Sequence, residues 1–265
     1  MNIDALNEKV SHYAVDGSIY SFEHEGNLFW LKTQGEEKRN SLRILSGWLA
    51  KRPQLGLFSV NSALSPAERM KLEISHLQEM NKKGLAVPPV LLKEDYFFLT
   101  PDCGRVFSDP ELLNEVSLKD MKIVFQTLAT FHNAGCYHGR PALRDIALPE
   151  DGAVIFLDLE ESGVDSNATL MARDVFLLLS DLKRIPQFTI DDKLELLHLW
   201  AGSLESKQPI DELRKIQKLI GKLAFIAKTV LYFKSNRTSV NILDSLHVLD
   251  RFYTAHKASS PEGLA

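Results

Sequence analysis

LATFHNAGCYHGRPALRDIALPEDGAVIFLDLEE, residues 128–161, holds the densest run of chemistry-bearing side chains in the chain. It opens on the tail of a helix predicted over Leu118–Ala134 from the period of Met121, Val124, Phe125, Leu128 and Phe131, and Gly135 ends that helix. A loop with His138 and Gly139 follows at Tyr137–Asp145. A short apolar run, Val154–Leu157, then closes on Asp158. A helix–loop–strand junction of this kind brings polar groups towards one point. Asp145 in the loop and Asp158 at the strand end lie 13 positions apart. They are hard oxygen donors of the kind Mg²⁺ takes, and Mg²⁺ keeps several waters for a phosphate to replace.

Upstream, the chain mixes strands and helices. Gly17–His24 and Leu28–Lys32 are rich in β-formers around Glu25-Gly26-Asn27, which predicts a hairpin. Ser65-Pro66-Ala67-Glu68 is a helix start, with Ser at the cap, Pro in the first turn and Glu three residues after the cap. That helix, 66–83, stops at Gly84. Val87–Leu92 and Tyr96–Thr100 flank Lys93-Glu94-Asp95 as a second hairpin. Pro101–Gly104 reads as a linker. Lys38–Phe58 sets five basic residues among leucines, Ile44, Trp48 and Phe58. It is read as an insertion packing on the sheet, with peripheral contact to an anionic membrane surface as the alternative.

Downstream, Arg173–Leu182, Asp191–Leu204, Ile210–Phe233 and Val240–Ala255 carry helical periodicity. The Lys257–Ala265 tail is expected to be disordered. The class is therefore α+β in two lobes. Residues 1–100 form a small strand-rich N-lobe and 101–256 a larger helical C-lobe, with a small ligand expected between them.

Composition narrows the function. The 265 residues are 45% hydrophobic and carry a net charge of −4, which argues against bulk binding to nucleic acid. Two cysteines, Cys103 and Cys136, make no disulfide framework or zinc spacing. Asp4 and Glu8 stand where a signal peptide needs a basic start, and no run approaches the length of a spanning helix, so the expected place is the cytoplasm or the inner face of its membrane. His132, near a helix end, reads as a packed or capping histidine.

His138-Gly139-Arg140-Pro141-Ala142-Leu143-Arg144-Asp145, followed by Phe156-Leu157-Asp158, resembles the protein-kinase-like superfamily, in which a loop of the form H-[RG]-D-x-x-x-x-N precedes a strand ending in a metal-binding Asp. The likeness is nearest to small bacterial members such as the lipopolysaccharide-core (Kdo/heptose) kinases, and it extends to the aminoglycoside-phosphotransferase-like enzymes. Glu73-x-x-x-Leu77-x-x-Met80-x-x-x-Gly84-x-x-x-Pro88 is similar to the helix pattern of small-molecule kinases. The resemblance implies a two-lobed kinase-like fold, ATP and Mg²⁺ as cofactors, and phosphoryl transfer to a hydroxyl. The acceptor would be a lipopolysaccharide-core sugar, a small molecule or a protein Ser/Thr. It implies that Lys32 holds phosphates, Glu73 orients Lys32, Leu99 and Pro101 pack near the adenine at a hinge, His138 fixes the loop, and Asp145 and Asp158 bind the metal. Asp174, expected at the start of its helix, would bond the loop backbone.

The sequence departs from the pattern at two points. The family's glycine-rich loop is missing. Arg140 stands where the catalytic Asp belongs, and a guanidinium stays protonated and accepts no proton. Three readings stay open: transfer without a base, another carboxylate (Glu160, Glu161 or Asp145) standing in, or lost catalysis. The last is a pseudokinase binding a nucleotide or a partner protein. A membrane-surface adaptor rests on residues 38–58 alone.

Overall fold

The computed structural model describes residue 10 and residues 19–34, 64–149, 152–233 and 237–258. Residues 38–58 and 259–265 lie outside the described residues. The chain is α+β, with a strand-rich N-terminal region and a helical C-terminal region. It divides into two compact units. The first takes in 1–105 and 147–164, the second 106–146 and 165–265.

In the first unit, β1 (Ile19–His24) and β2 (Asn27–Thr33) form an antiparallel hairpin. Glu25 and Gly26 close it at φ 51° and 76°. Two left-handed residues in sequence are what a two-residue hairpin turn needs to match the strand twist. β3 (Leu92–Lys93) and β4 (Phe97–Pro101) complete an antiparallel sheet of order β1-β2-β4-β3. Leu31 stands opposite Leu99 and Lys32 opposite Phe98. Alternation sends Phe22, Phe29, Leu31, Phe97 and Leu99 to one face, where they pack with Val10. Burying each large side chain stabilises by about 1.5–3 kcal/mol. The same alternation turns Lys32 to the other face. The expected linker is not loose. Pro101 ends β4, and Asp102 accepts the Trp30 indole N–H at 2.7 Å and the Gly104 amide at 3.0 Å.

Helix α1 (Pro66–Lys82) starts in the predicted way. Ser65 Oγ accepts from the Glu68 amide, and the Glu68 carboxylate accepts from the Ser65 amide at 2.8 Å. Its inner stripe is Met70, Glu73, Ile74, Leu77 and Met80, so one carboxylate is carried into an apolar surface. Short strands β5 (Arg105–Val106) and β6 (Ile146–Leu148) fall where the chain passes from one unit to the other. β7 (Ile155–Phe156) belongs to the first unit.

The second unit is helical: α2 (Pro110–Glu115), α3 (Leu118–Asn133), α4 (Ala168–Asp181), α5 (Ile190–Ser203), α6 (Gln208–Phe233) and α7 (Arg237–Ala258). α3 packs on α5, α4 on α6, and α7 on α4, α5 and α6. α3 and α5 open on capping boxes, Ser117 with Asp120 and Thr189 with Asp192. Three expectations change here. Arg173-Asp174 does not open α4. The Asn167 side chain caps it by accepting from the Leu170 amide, so Asp174 lies in the second turn. α2 was not expected, and Asp109, bonded to the Glu111 and Leu112 amides, is its cap. α7 runs to Ala258, into the expected tail. Among the described residues no helix is long and apolar enough to cross a membrane.

Candidate functional site

Lys32 reaches from β2 into a group of carboxylates within the first unit. Its Nζ donates to Glu73 Oε1 at 2.8 Å and Asp158 Oδ1 at 3.1 Å, and lies 3.4 Å from Glu160 Oε1. Arg69 on α1 approaches the other oxygen of Glu160 at 3.7 Å. Burial works to lower the Lys32 ammonium, but Glu73, Asp158 and Glu160 outweigh it and hold the ammonium well above the usual lysine range. Burial pushes the Glu73 carboxyl up to about 7. The Lys32 charge and hydrogen bond pull against this, and the Asp158 and Glu160 charges add to it. Two cations and three carboxylates leave the group with a surplus of negative charge when all are ionised.

The exposure of these groups is graded. The Glu73 side chain is 4% exposed, Lys32 20% and Asp158 42%. Glu73 therefore fixes the lysine from the protein side, while Asp158 faces solvent. Asp158 sits at φ 56°, a left-handed conformation that costs an L-residue on the order of 1 kcal/mol and is least costly for Asp and Asn. Asp158 is thus a solvent-facing carboxylate beside a buried ion pair, in a backbone conformation that its surroundings must hold in place. The turn behind it is closed by Ser162, whose hydroxyl donates to the Leu159 carbonyl at 2.7 Å and whose Oγ lies 3.0 Å from His76 Nδ1 on α1.

The second unit holds the loop. The Asp174 carboxylate, 0% exposed, accepts the His138 amide at 2.7 Å and the Gly139 amide at 2.8 Å, one on each oxygen. Asp181, seven residues on along the same face of α4, accepts the Leu143 amide at 2.8 Å. His132 lies buried under this clamp. Its Nδ1 accepts the Trp200 indole N–H at 3.1 Å, so Nε2 carries the proton and faces Asp174 at 3.5 Å. It is a packed histidine. Within the loop, Gly139 has φ 96° and the Arg140 side chain is exposed. Asp145 is 5% exposed, with Arg144 Nε 3.3 Å from its Oδ1.

The structure thus brings Lys32, Glu73 and Asp158 together in one unit, and holds His138, Arg140 and Asp145 on one clamped loop in the other. Leu99 is wholly buried in the sheet core and offers no surface to a nucleobase. Pro101 at the strand end is half-buried. Sequence reasoning missed Arg69 and the His76–Ser162 contact and gave Glu160 only a possible base role. Arg69, Glu73 and His76 fall on one face of α1, and that spacing was the available signal. Among the described residues no three His, Cys, Asp or Glu side chains converge to hold a metal ion by themselves.

No known family profile matches the chain. An uncharacterized protein of Haemophilus influenzae is similar to it, 29% identical over 175 residues covering 64% of each chain, so this chain spans somewhat under two thirds of that relative's length.

Proposed function

We propose that the chain is a protein-kinase-like phosphotransferase that uses a nucleoside triphosphate and Mg²⁺ to phosphorylate a hydroxyl. One observation carries this reading: a single lysine is held by a buried glutamate on a helix and also bonds a solvent-facing aspartate just beyond strand β7. That combination suits phosphoryl transfer, which is catalysed by positioning and charge stabilisation. Lys32 binds phosphate oxygens, Glu73 keeps the ammonium in place and charged, and Asp158 offers a hard oxygen to the metal. Asp145 is the loop carboxylate that the same reading assigns to metal. Mg²⁺, when bound through one or two carboxylates and the phosphates, neutralises charge on the transferring group. The anchoring of His138 and Gly139 by Asp174 supports the assignment of a loop whose shape matters. The acceptor is a lipopolysaccharide-core sugar, a small molecule or a protein Ser/Thr.

A second reading has its own observation. Arg140, exposed on the loop, occupies the position of the proton-accepting carboxylate and cannot do that work. In this reading the chain binds nucleotide without turnover and acts as a regulatory module.

ATP should raise the melting temperature of the wild type, and more with Mg²⁺ than without. Asp158→Ala should abolish the Mg²⁺ increment. No shift with ATP in either condition overturns both readings. Nucleotide binding without turnover on any of these acceptors, with activity gained in Arg140→Asp, selects the second reading. Activity lost in Arg140→Asp selects the first and gives the guanidinium a role on an anionic group.

A further inference from the structure

We infer that His76 is a positioning residue for Asp158: helix α1 grips the turn 158–162 through His76–Ser162 and Arg69–Glu160, and so fixes the carboxylate that faces solvent. The inference rests on the proposed role of Asp158 and names what holds that residue in place.

Arg69, Glu73 and His76 stand at i, i+4 and i+7, one stripe of α1. Each meets the segment 158–162 at a different point. Glu73 reaches Asp158 through Lys32, Arg69 lies 3.7 Å from Glu160, and His76 lies 3.0 Å from Ser162. The contact at His76 is buried on both sides, His76 at 9% and Ser162 at 2% exposure. Its polarity follows from counting protons. Ser162 has one hydroxyl hydrogen, and the 2.7 Å bond to the Leu159 carbonyl uses it. His76 Nδ1 therefore donates to Ser162 Oγ. The Ser162 amide also bonds the Leu159 carbonyl, at 3.1 Å. Leu159 itself is fully buried. The turn is thereby closed at one end by Ser162 and tied to α1 there, while Asp158 at the other end is held at φ 56°. A left-handed aspartate relaxes to a commoner conformation unless its surroundings over-determine it. The stripe on α1 supplies that constraint, so a shift of α1 would move the lysine's partner and the turn together.

The test uses the full chain and two substitutions. Ser162→Ala removes the hydroxyl and leaves the His76 donor buried without its acceptor. His76→Asn keeps a side-chain N–H near the place of Nδ1 to give. Hydrogen exchange is followed over 66–82 and over 157–163. ATP affinity is titrated with and without Mg²⁺. Ser162→Ala should speed exchange in 157–163 by about tenfold while leaving 66–82 as in the wild type. The gain in ATP affinity brought by Mg²⁺ should shrink about tenfold, with metal-free affinity unchanged. His76→Asn should retain most of the wild-type protection at 157–163 and most of the Mg²⁺ gain. Unchanged exchange at 157–163 overturns the inference, as does acceleration spread equally over 66–82. So does local acceleration with the Mg²⁺ gain intact, which leaves Ser162 a merely structural residue. If the wild type binds no ATP with or without Mg²⁺, the phosphotransferase reading fails, and the exchange data alone decide whether His76 holds the turn.

Discussion

Lys32 is a cation whose environment was built for it. Taking Glu73 out of water is costly, and the ammonium is what offsets that cost. Removing the lysine should therefore hurt more than removing the pair. Lys32→Met should destabilise by on the order of 3 kcal/mol, and adding Glu73→Gln should recover part of it. Urea unfolding of the two single variants and the double variant measures the coupling, and additive losses would contradict the picture. Glu73 also sets a pH dependence. Its folded-state value of about 7 lies above the ordinary 4.5, so the folded protein binds a proton there that the unfolded chain has released. The stability this group adds is complete below 4.5 and is lost as pH rises through about 7. Between about pH 5 and about pH 8, the wild type should lose on the order of 1–3 kcal/mol relative to Glu73→Gln. A constant gap would show that Glu73 does not titrate in this range. These residues were legible one at a time, Lys32 as a strand end and Glu73 as part of a helix. Their bond across 41 positions, like that of His76 to Ser162 across 86, leaves no trace in local periodicity. Only a resemblance singled out the first, and nothing singled out the second.

The elements were far more legible, because their signals are local. The Ser65 box, the Glu25-Gly26 turn and the apolar period of α3 each fix backbone shape within a few residues. What escaped was short or held from afar. β5 and β7 have two residues each, too few for an alternation to register. The start of α4 was placed late because the polar run before Arg173 hides a good cap, Asn167. With the true start, Asp174 sits a turn and a half inside the helix, away from the orphan amides that would have made it a simple dipole partner. Its carboxylate is instead devoted to another segment. Asp174→Asn gives up one charged acceptor and turns an amide N–H towards the His138 or Gly139 amide. It should destabilise by on the order of 2–3 kcal/mol and speed exchange of those two amides in particular. Equal protection of both amides in the variant would show that the loop holds its own shape.

At the level of the whole molecule, the chain builds its first unit from two separate pieces. Residues 147–164 supply Val154, Phe156 and Leu159, all buried, together with Asp158, and the Phe156 amide bonds the Ala86 carbonyl at 2.9 Å. Three large apolar side chains at about 1.5–3 kcal/mol each rival the net stability of an ordinary domain. A fragment of residues 1–105 should therefore give poorly dispersed amide NMR signals, and tethering 147–164 to it through a flexible linker should restore them. A fragment that folds alone would show that the returning piece is decoration. The same threading reaches back to how the chain is made. A ribosome releases the hairpin and α1 early, yet the missing piece ends at residue 164 of 265. Until then the nascent chain carries an unfilled apolar surface, so the first unit completes its core only after its returning piece has been made.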